Sequence, residues 1–446
     1  MTEDRSEDPT TEHQSEAAAD LQILFGKAFA CQQAGDYAEA ARLYRLVLAR
    51  MPDNVNLLCN LGILYRDMKK PAMAMTHLQR ACAIDPENPM VNLNLGAVFE
   101  ETNDLPGAVA SYRRALQAAP DDPRILNNLG KALYQQGETE TALDYLKKAV
   151  LLAPGYPLAR NNLGVLLCTL GKSHEAIDCF KQSLAATPEN SDTLYNLAGA
   201  LNTVGSTAEA EFYYRRAVAV DPHHAAARHM LAAITGTQTA KAPAAYVVDT
   251  FDRYAGQFDN QLTEKLGYQV PAMLREVLTQ ATDTTTFRNV LDLGCGTGLS
   301  GLAFRDLAGK LTGVDLSAKM LEKAAAKNIY DKLHLDDIVS FLNGTEDEFD
   351  LFIATDVFVY LGDLIPVYTA IRRRATGPAH LVFSIETTGP GRDYELRTSG
   401  RYAQSVDYIL RLAAEFGFVV VLNEKRNIRR EQGQWIGGNI FILRRG

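Results

Sequence analysis

The sequence predicts a multidomain chain in which an all-α superhelix of repeats precedes an α/β domain with a mostly parallel sheet. Three observations support this prediction. Alanine and proline recur at a fixed period of about 34 residues through the first half of the chain. A short apolar run at 290–293 leads into a glycine-rich turn and a helical pattern, which is typical of a buried parallel strand and its crossover helix. At 446 residues, the chain is long enough for two domains of about 200 residues.

Residues 1–20 are predicted to form a disordered acidic tail. They contain seven acidic residues and one arginine, a net charge of −6 out of −9 for the whole chain. They are polar and lack a hydrophobic period, so they cannot bury enough apolar surface to fold. The remaining chain carries only about −3, and it has no basic block long enough to predict nucleic-acid binding.

Residues 21–235 are predicted to form a helical repeat array. One phase of the period is alanine, at Ala40, Ala74, Ala108, Ala142, Ala176 and Ala210. A second phase, twelve positions later, is proline, at Pro52, Pro86, Pro120, Pro154, Pro188 and Pro222. The pattern resembles tetratricopeptide repeats, in which small residues let paired helices approach closely and proline stops the second helix. The resemblance implies six repeats followed by a capping helix.

A third phase of the array carries asparagine, at Asn60, Asn94, Asn128, Asn162 and Asn196. The resemblance implies that the first helix of each repeat lines a groove, where an asparagine amide could both donate to and accept from an extended peptide. Arg124 and Arg160 could add charge-assisted contacts. We therefore predict a protein or peptide partner in this groove. The alternative is that asparagine only stabilises the starts of helices.

The glycine-rich turn after residues 290–293 predicts a nucleoside cofactor. The turn contains three glycines, Gly294, Gly296 and Gly298. They let the backbone turn sharply and leave room for a ligand against the main chain. A second predicted strand, 311–316, ends near Asp315. A doubly wound sheet places an acid at that point to accept hydrogen bonds from two ribose hydroxyls.

Two cofactors compete for this site. Residues 296–301 read G-x-G-x-x-G, which also suits a dinucleotide such as NAD. However, Asp292 and Gly294 precede that triplet, and a carboxylate there suits a cationic ligand with an ammonium group better than a pyrophosphate. The segment resembles motif I of class I S-adenosylmethionine-dependent methyltransferases.

This resemblance implies a Rossmann-like domain over residues 246–446, with a mostly parallel seven-stranded sheet and an antiparallel last strand. It implies that Asp292 and the glycine turn, Cys295 included, hold the methionine end of S-adenosyl-L-methionine, while Asp315 holds the ribose. Leu316 is assigned to the same site.

Later strands complete the predicted site by the same resemblance. An acid after the third strand, at 332–337, would contact the adenine amino group; Asp336 is preferred over Asp337, and a solvated loop acid is the alternative. The fourth strand would deliver Thr355 and Asp356 next to the departing methyl group. The fifth ends at Glu386, and residues 418–422 and 439–443 would form a closing antiparallel pair.

The acceptor side of the site is predicted from fewer signals. Asp356 and Tyr360 are the catalytic candidates, with Glu386 as a further base at the cleft edge. Arg401 and Tyr402 follow a long loop after the fifth strand, where this fold often builds a substrate wall, and an arginine there suits an anionic substrate.

One helix upstream of the glycine turn carries a further resemblance. Residues 250–259 resemble the amphipathic helix that precedes motif I in small-molecule-type methyltransferases, which implies that Tyr254 and Phe258 help to close the cleft. The alternative is an ordinary helix that packs two aromatic side chains on the sheet.

The remaining features bound the location and the function. Residues 236–245, rich in threonine and alanine, are predicted to form an interdomain linker. The cysteines contain no C-x-x-C pair, the histidines are scattered, and no metal site is expected. With no signal peptide and no apolar run as long as about 18 residues, we expect a cytoplasmic protein without membrane insertion.

Three functions remain open. The first is methyl transfer from S-adenosylmethionine with the repeats recruiting a protein partner or substrate. The second is a small-molecule methyltransferase whose repeats serve only docking or assembly. The third is a scaffold that binds S-adenosylmethionine without catalysis.

Overall fold

The structure is a computed structural model that describes residues 9–254, 267–282, 284–431 and 434–446. The chain forms two compact units, Met1–Lys172 and Ser173–Gly446. The boundary lies inside the repeats, so the second unit contains both the last repeats and the α/β domain. The sequence places the division later, at residues 236–245.

The first unit is a series of helices that pair along the chain. They are α1 (Pro9–Gln33), α2 (Tyr37–Arg50), α3 (Val55–Asp67), α4 (Pro71–Ile84), α5 (Pro89–Glu101), α6 (Leu105–Ala118), α7 (Pro123–Gln136), α8 (Thr139–Leu152) and α9 (Pro157–Thr169). The side chains of Asn54, Asn88 and Asp122 accept hydrogen bonds from backbone N–H groups in the first turns of α3, α5 and α7. These caps satisfy donors that a helix leaves unpaired at its start.

The sequence predicts a disordered tail over residues 1–20, whereas the structure describes a helix, α1, from Pro9 onward. Three consecutive alanines at 17–19 have high helix propensity, which favours a helix in this segment. Residues 1–8 lie outside the described residues.

The residues that recur with the repeat period form the packing contacts between paired helices. The alanines of the first phase are fully buried in both units, at Ala40, Ala74, Ala108, Ala142, Ala176 and Ala210. The larger side chains four positions later are buried as well, at Tyr44, Leu78, Tyr112, Leu146, Phe180 and Tyr214. At Gly96, an added Cβ would lie 2.5 Å from Cε1 of Tyr112, so only glycine allows this approach.

The second unit begins with the last repeats and continues into the α/β domain. Its repeat helices are α10 (Ser173–Ala186), α11 (Ser191–Thr203), α12 (Thr207–Val220) and α13 (Ala225–Thr235). Helix α13 begins where the His224 side chain accepts from the N–H of Ala227, and ends at Gly236, which is left-handed. It occupies the place of the predicted capping helix. Two further helices precede the sheet, α14 (Ala244–Tyr254) and α15 (Val270–Ala281).

Seven of the described strands of this unit form one sheet. They are β1 (Phe287–Leu293), β2 (Ala308–Asp315), β3 (Lys332–Leu335), β4 (Phe349–Ala354), β5 (Ala375–Glu386), β8 (Phe418–Glu431) and β9 (Gln434–Arg445). Their order across the sheet is β3-β2-β1-β4-β5-β9-β8. Of these strands, only β9 runs antiparallel to both of its neighbours. The predicted Rossmann-like sheet with an antiparallel last strand is confirmed.

Short helices cross between these strands and cover the sheet. They are α16 (Leu299–Phe304), α17 (Ala318–Ala326), α18 (Ile338–Gly344), α19 (Ile365–Arg374) and α20 (Val406–Glu415). A small hairpin, β6 (Tyr394–Leu396) and β7 (Tyr402–Gln404), follows β5. The chain passes from β1 to β2 on one side and reaches β4 on the other. The carboxyl ends of β1 and β4 therefore flank a crevice at the topological switch point, where this architecture binds ligands.

Candidate functional site

The crevice at the end of β1 is shaped by the glycine-rich turn. Gly294, Gly296 and Gly298 all have positive φ, of 65°, 52° and 92°. An added Cβ at Gly294 would lie 2.7 Å from Cγ2 of Val357, whereas one at Gly296 would meet no atom within 4 Å. The turn therefore packs closely on one side and is open on the other, as a ligand against the main chain requires.

Asp315 links this turn to the end of β2. Its Oδ2 accepts from the N–H of Gly296 at 2.8 Å, and its Oδ1 accepts from the N–H of Ser317 at 2.8 Å. Burial raises the pKa of Asp315, and the backbone hydrogen bonds oppose that rise. The Ser317 hydroxyl in turn donates to Oδ1 of Asp252 on α14 at 2.5 Å. The carboxylate therefore has a fixed orientation at the cleft.

The cleft itself encloses about 1000 Å³ of empty space, including the part open to solvent. Nine of the residues predicted for the site line it, namely Gly294, Cys295, Gly296, Asp315, Leu316, Asp337, Thr355, Asp356 and Tyr360. They come from the ends of β1, β2, β3 and β4. The fold therefore brings most of the predicted cofactor residues together.

Asp292 lies beneath the glycine turn and does not line the cleft; Gly298 is also absent from its walls. The Asp292 side chain is fully buried, and its Oδ2 accepts from the Tyr330 hydroxyl at 2.7 Å. Burial raises the pKa of Asp292 to about 7, against the opposing effect of the Tyr330 hydrogen bond. Near neutral pH this group therefore exchanges between carboxyl and carboxylate.

Of the two acids after β3, the structure places the second at the cleft. Asp337 lines it, with Oδ1 accepting from the N–H groups of Val339 and Ser340 at the start of α18. Asp336 instead accepts from the N–H of Asp337 at 2.7 Å and is not part of the cleft wall. The structure therefore places Asp337, and not Asp336, among the residues that line the cleft, while the choice of the acid that contacts the adenine stays a prediction.

Asp356 follows β4 in a conformation that is uncommon for a residue with a side chain. Its φ is +57°, in the left-handed region that aspartate tolerates better than most residues. Its N–H donates to the Ser384 hydroxyl at 3.1 Å, and its Oδ1 accepts from Nη2 of Arg401 at 2.5 Å. Burial raises the pKa of Asp356, although the positive charge of Arg401 opposes this. The side chain reaches the cleft from a constrained backbone.

Arg401 lies behind this aspartate and is fully engaged by protein groups. Its Nε donates to Oε1 of Glu386 at 2.8 Å, its Nη2 to Asp356, and its Nη1 to the Tyr360 hydroxyl at 3.3 Å. Only 12% of its side chain is exposed, and it does not line the cleft. Tyr402 is fully buried, with its hydroxyl bonded to Thr239. The predicted anionic-substrate wall of Arg401 and Tyr402 is therefore corrected: both are internal supports.

Glu386 is the centre of a buried charge cluster rather than a base at the cleft edge. It is 2% exposed and lies within 3.2 Å of three guanidinium groups, those of Arg397, Arg401 and Arg429. Burial alone would raise its pKa, but the charges of Arg401 and Arg429 reverse that effect and lower it below the ordinary value. Glu386 therefore stays ionised and does not line the cleft.

Several cleft residues have no clear signal in the sequence. Lys241 and Ala242 belong to the predicted linker, yet both line the cleft. The N–H of Ala242 donates to the carbonyl of Tyr360 at 2.9 Å, and the carbonyl of Ala240 accepts from Gly362 at 2.8 Å. The segment 236–245 is therefore built into the site. Its composition could not reveal these backbone hydrogen bonds.

Aromatic side chains complete the wall. Phe251 from α14 and Tyr268 before α15 line the cleft, and the ring centroids of Phe251 and Tyr360 are 5.4 Å apart. Burial raises the pKa of Tyr268 well above its ordinary value. Tyr254 is the last residue of α14, and Phe258 lies outside the described residues. The helix preceding motif I reaches the cleft through Phe251, and the side chain of Tyr254 lies outside the part that the structure describes.

The asparagines of the repeats mostly form hydrogen bonds within the array. Asn94 is 7% exposed, with its amide donating to the Met90 carbonyl at 2.8 Å and its oxygen accepting from Arg66 at 3.2 Å. Asn162 donates to Asn127, which donates to Asn128. Asn60 and Asn196 are half-buried. Asn94 is therefore a packing residue and cannot present its amide to a peptide.

The two arginines near the asparagine phase are engaged locally. Arg124 donates to the carboxylate of Asp122, and Nε of Arg160 donates to the carbonyl of Pro154 at 2.7 Å.

Among the described residues, no cluster of histidine, cysteine, aspartate and glutamate could hold a metal ion. No helix in the described ranges is long and apolar enough to cross a membrane.

Comparisons with known proteins assign both parts of the chain. Residues 290–376 match the family model of a methyltransferase domain. Models of tetratricopeptide repeats match residues 18–87 and 121–189, residues 101–137, and residues 161–225. No curated protein matches the chain.

Three of the solved structures similar to the repeats each cover less than half of this chain. PilW, a type IV pilus biogenesis factor, is 22% identical over 46% of this chain and 94% of its own, with a TM-score of 0.43. PilF of Pseudomonas aeruginosa is 24% identical over 46% and 95%, with a TM-score of 0.38. A tetratricopeptide protein of Thermus thermophilus is 22% identical over 41% and 99%, with a TM-score of 0.36. These scores are below 0.5, so the assignment rests on the family models and the sheet topology. The chain therefore combines tetratricopeptide repeats with a domain of the methyltransferase family.

Proposed function

We propose that the α/β domain transfers a methyl group from S-adenosyl-L-methionine to an acceptor that carries an O–H or N–H group. The observation that carries this proposal is the Asp315 carboxylate, which the N–H groups of Gly296 and Ser317 fix at the cleft. An oriented carboxylate at the end of β2 can accept hydrogen bonds from two ribose hydroxyls.

The residues of the cleft fit this cofactor along its length. Asp315 and Leu316 would hold the nucleoside, Asp337 would reach the adenine end, and the open side of the turn at Gly296 would accept the methionine portion. Asp292, beneath that turn, would add negative charge under a cationic ligand once it is ionised. When bound, S-adenosylmethionine supplies an electrophilic methyl group.

The protein's own contribution is positioning and the exclusion of water. Methyl transfer is an in-line displacement, for which a fixed approach geometry provides much of the rate. Phe251, Tyr268 and Tyr360 give the cleft an aromatic wall that excludes water. Asp356 reaches the same cleft and would accept a hydrogen bond, or the proton, from the acceptor's O–H or N–H group.

A neutral or cationic acceptor fits this arrangement better than an anionic one. The Arg401 guanidinium already binds Glu386, Asp356 and the Tyr360 hydroxyl. The Lys241 ammonium, which lines the cleft, is paired with Asp337 at 3.4 Å. The guanidinium has no free face for a substrate carboxylate, whereas the Asp356 carboxylate lines the cleft. An acceptor that donates a hydrogen bond would meet that carboxylate.

Two roles remain for the repeats. The first is recruitment of a protein or peptide partner, which is the general use of tetratricopeptide arrays and which the half-buried Asn60 and Asn128 could still serve. The second is docking or assembly around a small-molecule methyltransferase. The second is favoured by one observation, namely that Phe251, which lies in the segment 250–259 that resembles the small-molecule enzymes, lines the cleft.

The test uses the full chain and labelled S-adenosylmethionine in a cell extract depleted of small methyl donors. Calorimetry first measures cofactor binding, with NAD as the competing ligand. We expect micromolar binding of S-adenosylmethionine, and label transfer that falls by about tenfold or more in Asp356→Asn while binding is retained.

The location of the label decides between the candidates. Label in protein bands supports a protein acceptor, and label in the small-molecule fraction supports the second role of the repeats. Binding without transfer indicates a scaffold. Binding of NAD with no binding of S-adenosylmethionine would overturn the proposal.

A further inference from the structure

We infer that the last tetratricopeptide repeats are part of the acceptor end of the cleft, because the contact between His229 and Gly400 positions Arg401. All residues concerned belong to the second unit. The inference rests on the proposed function only for the role of Asp356 at the acceptor. It makes His229 a positioning residue, which acts through Arg401 rather than on the substrate.

His229 lies on α13 and faces the methyltransferase domain. The side chain is 3% exposed, and its Nε2 is 2.9 Å from the carbonyl oxygen of Gly400. Since a carbonyl only accepts, Nε2 must carry the hydrogen in this contact. The ring also packs against Tyr246 of α14, at 4.5 Å between centroids, and against Tyr402 of β7, at 6.1 Å. A buried, oriented donor of this kind fixes the position of its acceptor.

The turn at 397–401 is held from a second repeat helix as well. Nδ2 of Asn202 on α11 donates to the carbonyl of Thr398 at 3.0 Å. Gly400 has a φ of +79°, and an added Cβ would lie 2.7 Å from both Sδ of Met230 and the Tyr246 hydroxyl. A residue with a Cβ would have to displace the side chain of Met230 on α13 and that of Tyr246 on α14. Helices α11 and α13 therefore clamp this turn.

The turn carries both arginines that enter the buried charge cluster from this side. Its ends are closed by two backbone hydrogen bonds, from Gly400 N–H to the Arg397 carbonyl at 2.8 Å and from Arg397 N–H to the Arg401 carbonyl at 2.9 Å. The Arg397 and Arg401 side chains then converge on Glu386. A shift of the turn would therefore shift both guanidinium groups.

Arg401 transmits this position to the cleft. It contacts the carboxylate of Asp356 and lies over the Tyr360 ring at 5.4 Å, and both of those residues line the cleft. Asp356 depends on such support, because its left-handed backbone is not self-stabilising. A continuous set of contacts thus runs from α13 through Gly400 and Arg401 to the acceptor end, whereas Asp315 and the glycine turn belong to the cofactor end.

The experiment compares full-chain variants by hydrogen exchange and by cofactor binding. His229→Ala removes the donor, His229→Gln retains an N–H at a similar reach, and Asn202→Ala removes the second, more exposed contact. His224→Ala is the matched control: it removes a histidine that caps the same helix but is bonded to Asp192 and Ala227 rather than to the turn.

We expect amide exchange in residues 396–404 to rise about tenfold in His229→Ala and less in Asn202→Ala, with recovery in His229→Gln and no local rise in His224→Ala. The dissociation constant of S-adenosylmethionine should stay within about twofold, since the variants lie away from the cofactor end. Labelled methyl transfer into cell extract should fall about tenfold in His229→Ala and recover in His229→Gln.

Unchanged exchange at 396–404 would overturn the inference, and so would an equal rise across β1–β5, which would indicate general destabilisation. Amide hydrogen exchange can be measured whether or not the chain is catalytically active. If the wild-type chain transfers no methyl group, the proposed function fails, while the exchange data still decide whether the repeats hold the turn.

Discussion

The two ends of the cleft are built from the chain in different ways. The cofactor end uses one continuous segment, from β1 through the glycine turn to Asp315 and Asp337. The acceptor end joins side chains from β4, β5, the turn before β7, β8 and α13, which are widely separated in the sequence. The first end therefore depends on local backbone geometry. The second depends on buried charges and contacts that exist only in the folded chain.

The charge cluster of the acceptor end should produce the largest effect on stability. Arg401→Met removes a buried cation that pairs with Glu386 and Asp356, which leaves two carboxylates under-compensated. We expect the free energy of unfolding to fall by about 3 kcal/mol, measured by denaturant titration. The matched control is Arg411→Met, whose solvent-exposed pair with Asp393 should contribute far less to stability. Equal losses in the two variants would contradict a special role of the buried cluster.

At the cofactor end, the corresponding change should reduce affinity more than stability. Asp315→Ala removes the carboxylate that the N–H groups of Gly296 and Ser317 orient. We expect S-adenosylmethionine to bind about 100-fold more weakly, which is about 2.7 kcal/mol. Calorimetry measures the loss, and Asp336→Ala, outside the cleft, serves as control with a change below about twofold. A folded Asp315→Ala chain with unchanged affinity would refute the site.

The cofactor end could largely be predicted from the sequence. The turn glycines and Asp315 were predictable because a strand, a turn and a second strand follow one another directly, and their geometry is local. The alanine and proline phases predicted the repeats for the same reason, since each unit of the array repeats one packing arrangement. Which of Asp336 and Asp337 lines the cleft could not be read from the sequence, because a shift of one residue near a strand end reverses the direction of a side chain.

The acceptor end could not be predicted in this way. Glu386 is bound by arginines at 397, 401 and 429, and no local pattern connects these positions. The sequence therefore predicted that Arg401 is available to bind a substrate, although in the structure it is bound to two carboxylates. The segment 236–245 was predicted to be a linker because it is rich in threonine and alanine, whereas its backbone forms hydrogen bonds with residues 360–362. The periodicity of a single sequence does not show which residues distant along the chain form ion pairs or hydrogen bonds with each other.

The two ends should also respond to pH with opposite signs. At the cofactor end, burial raises the pKa of Asp292 to about 7, from 3.8. Between about pH 4 and pH 7 the folded chain holds this proton and the unfolded chain does not, so this group's contribution to stability falls as the pH rises. Asp292→Asn keeps an oxygen for Tyr330 and removes the titration.

We therefore expect Asp292→Asn to be more stable than the wild type at pH 8, and nearly equal to it at pH 4.5. It should also bind S-adenosylmethionine about tenfold more weakly at pH 8, because a cationic ligand loses a nearby negative charge. Thermal unfolding and calorimetry at the two pH values measure both effects. A variant that is less stable than the wild type at pH 8 would show that Asp292 is not destabilised by burial.

At the acceptor end, the smallest expected effect comes from His229. Burial lowers its pKa below 6.5, while the hydrogen bond to the Gly400 carbonyl opposes that shift. The groups facing the ring are Tyr246 and Tyr402. As the pH falls below about 6.5, the unfolded chain gains a proton on this histidine that the folded chain rejects, so this contribution to stability is lost toward acid.

The wild type should therefore lose about 0.5 kcal/mol more than His229→Gln between pH 7 and pH 5.5, measured by paired denaturant titrations at each pH. The difference between the two chains isolates this group, because every other titrating residue is shared. The contribution of His229 to stability is lost as the pH falls, whereas that of Asp292 is lost as the pH rises. If His229→Gln lost as much stability toward acid as the wild type, the clamp on Gly400 would not depend on a neutral, buried imidazole, and the acceptor end would be held mainly by its charge cluster.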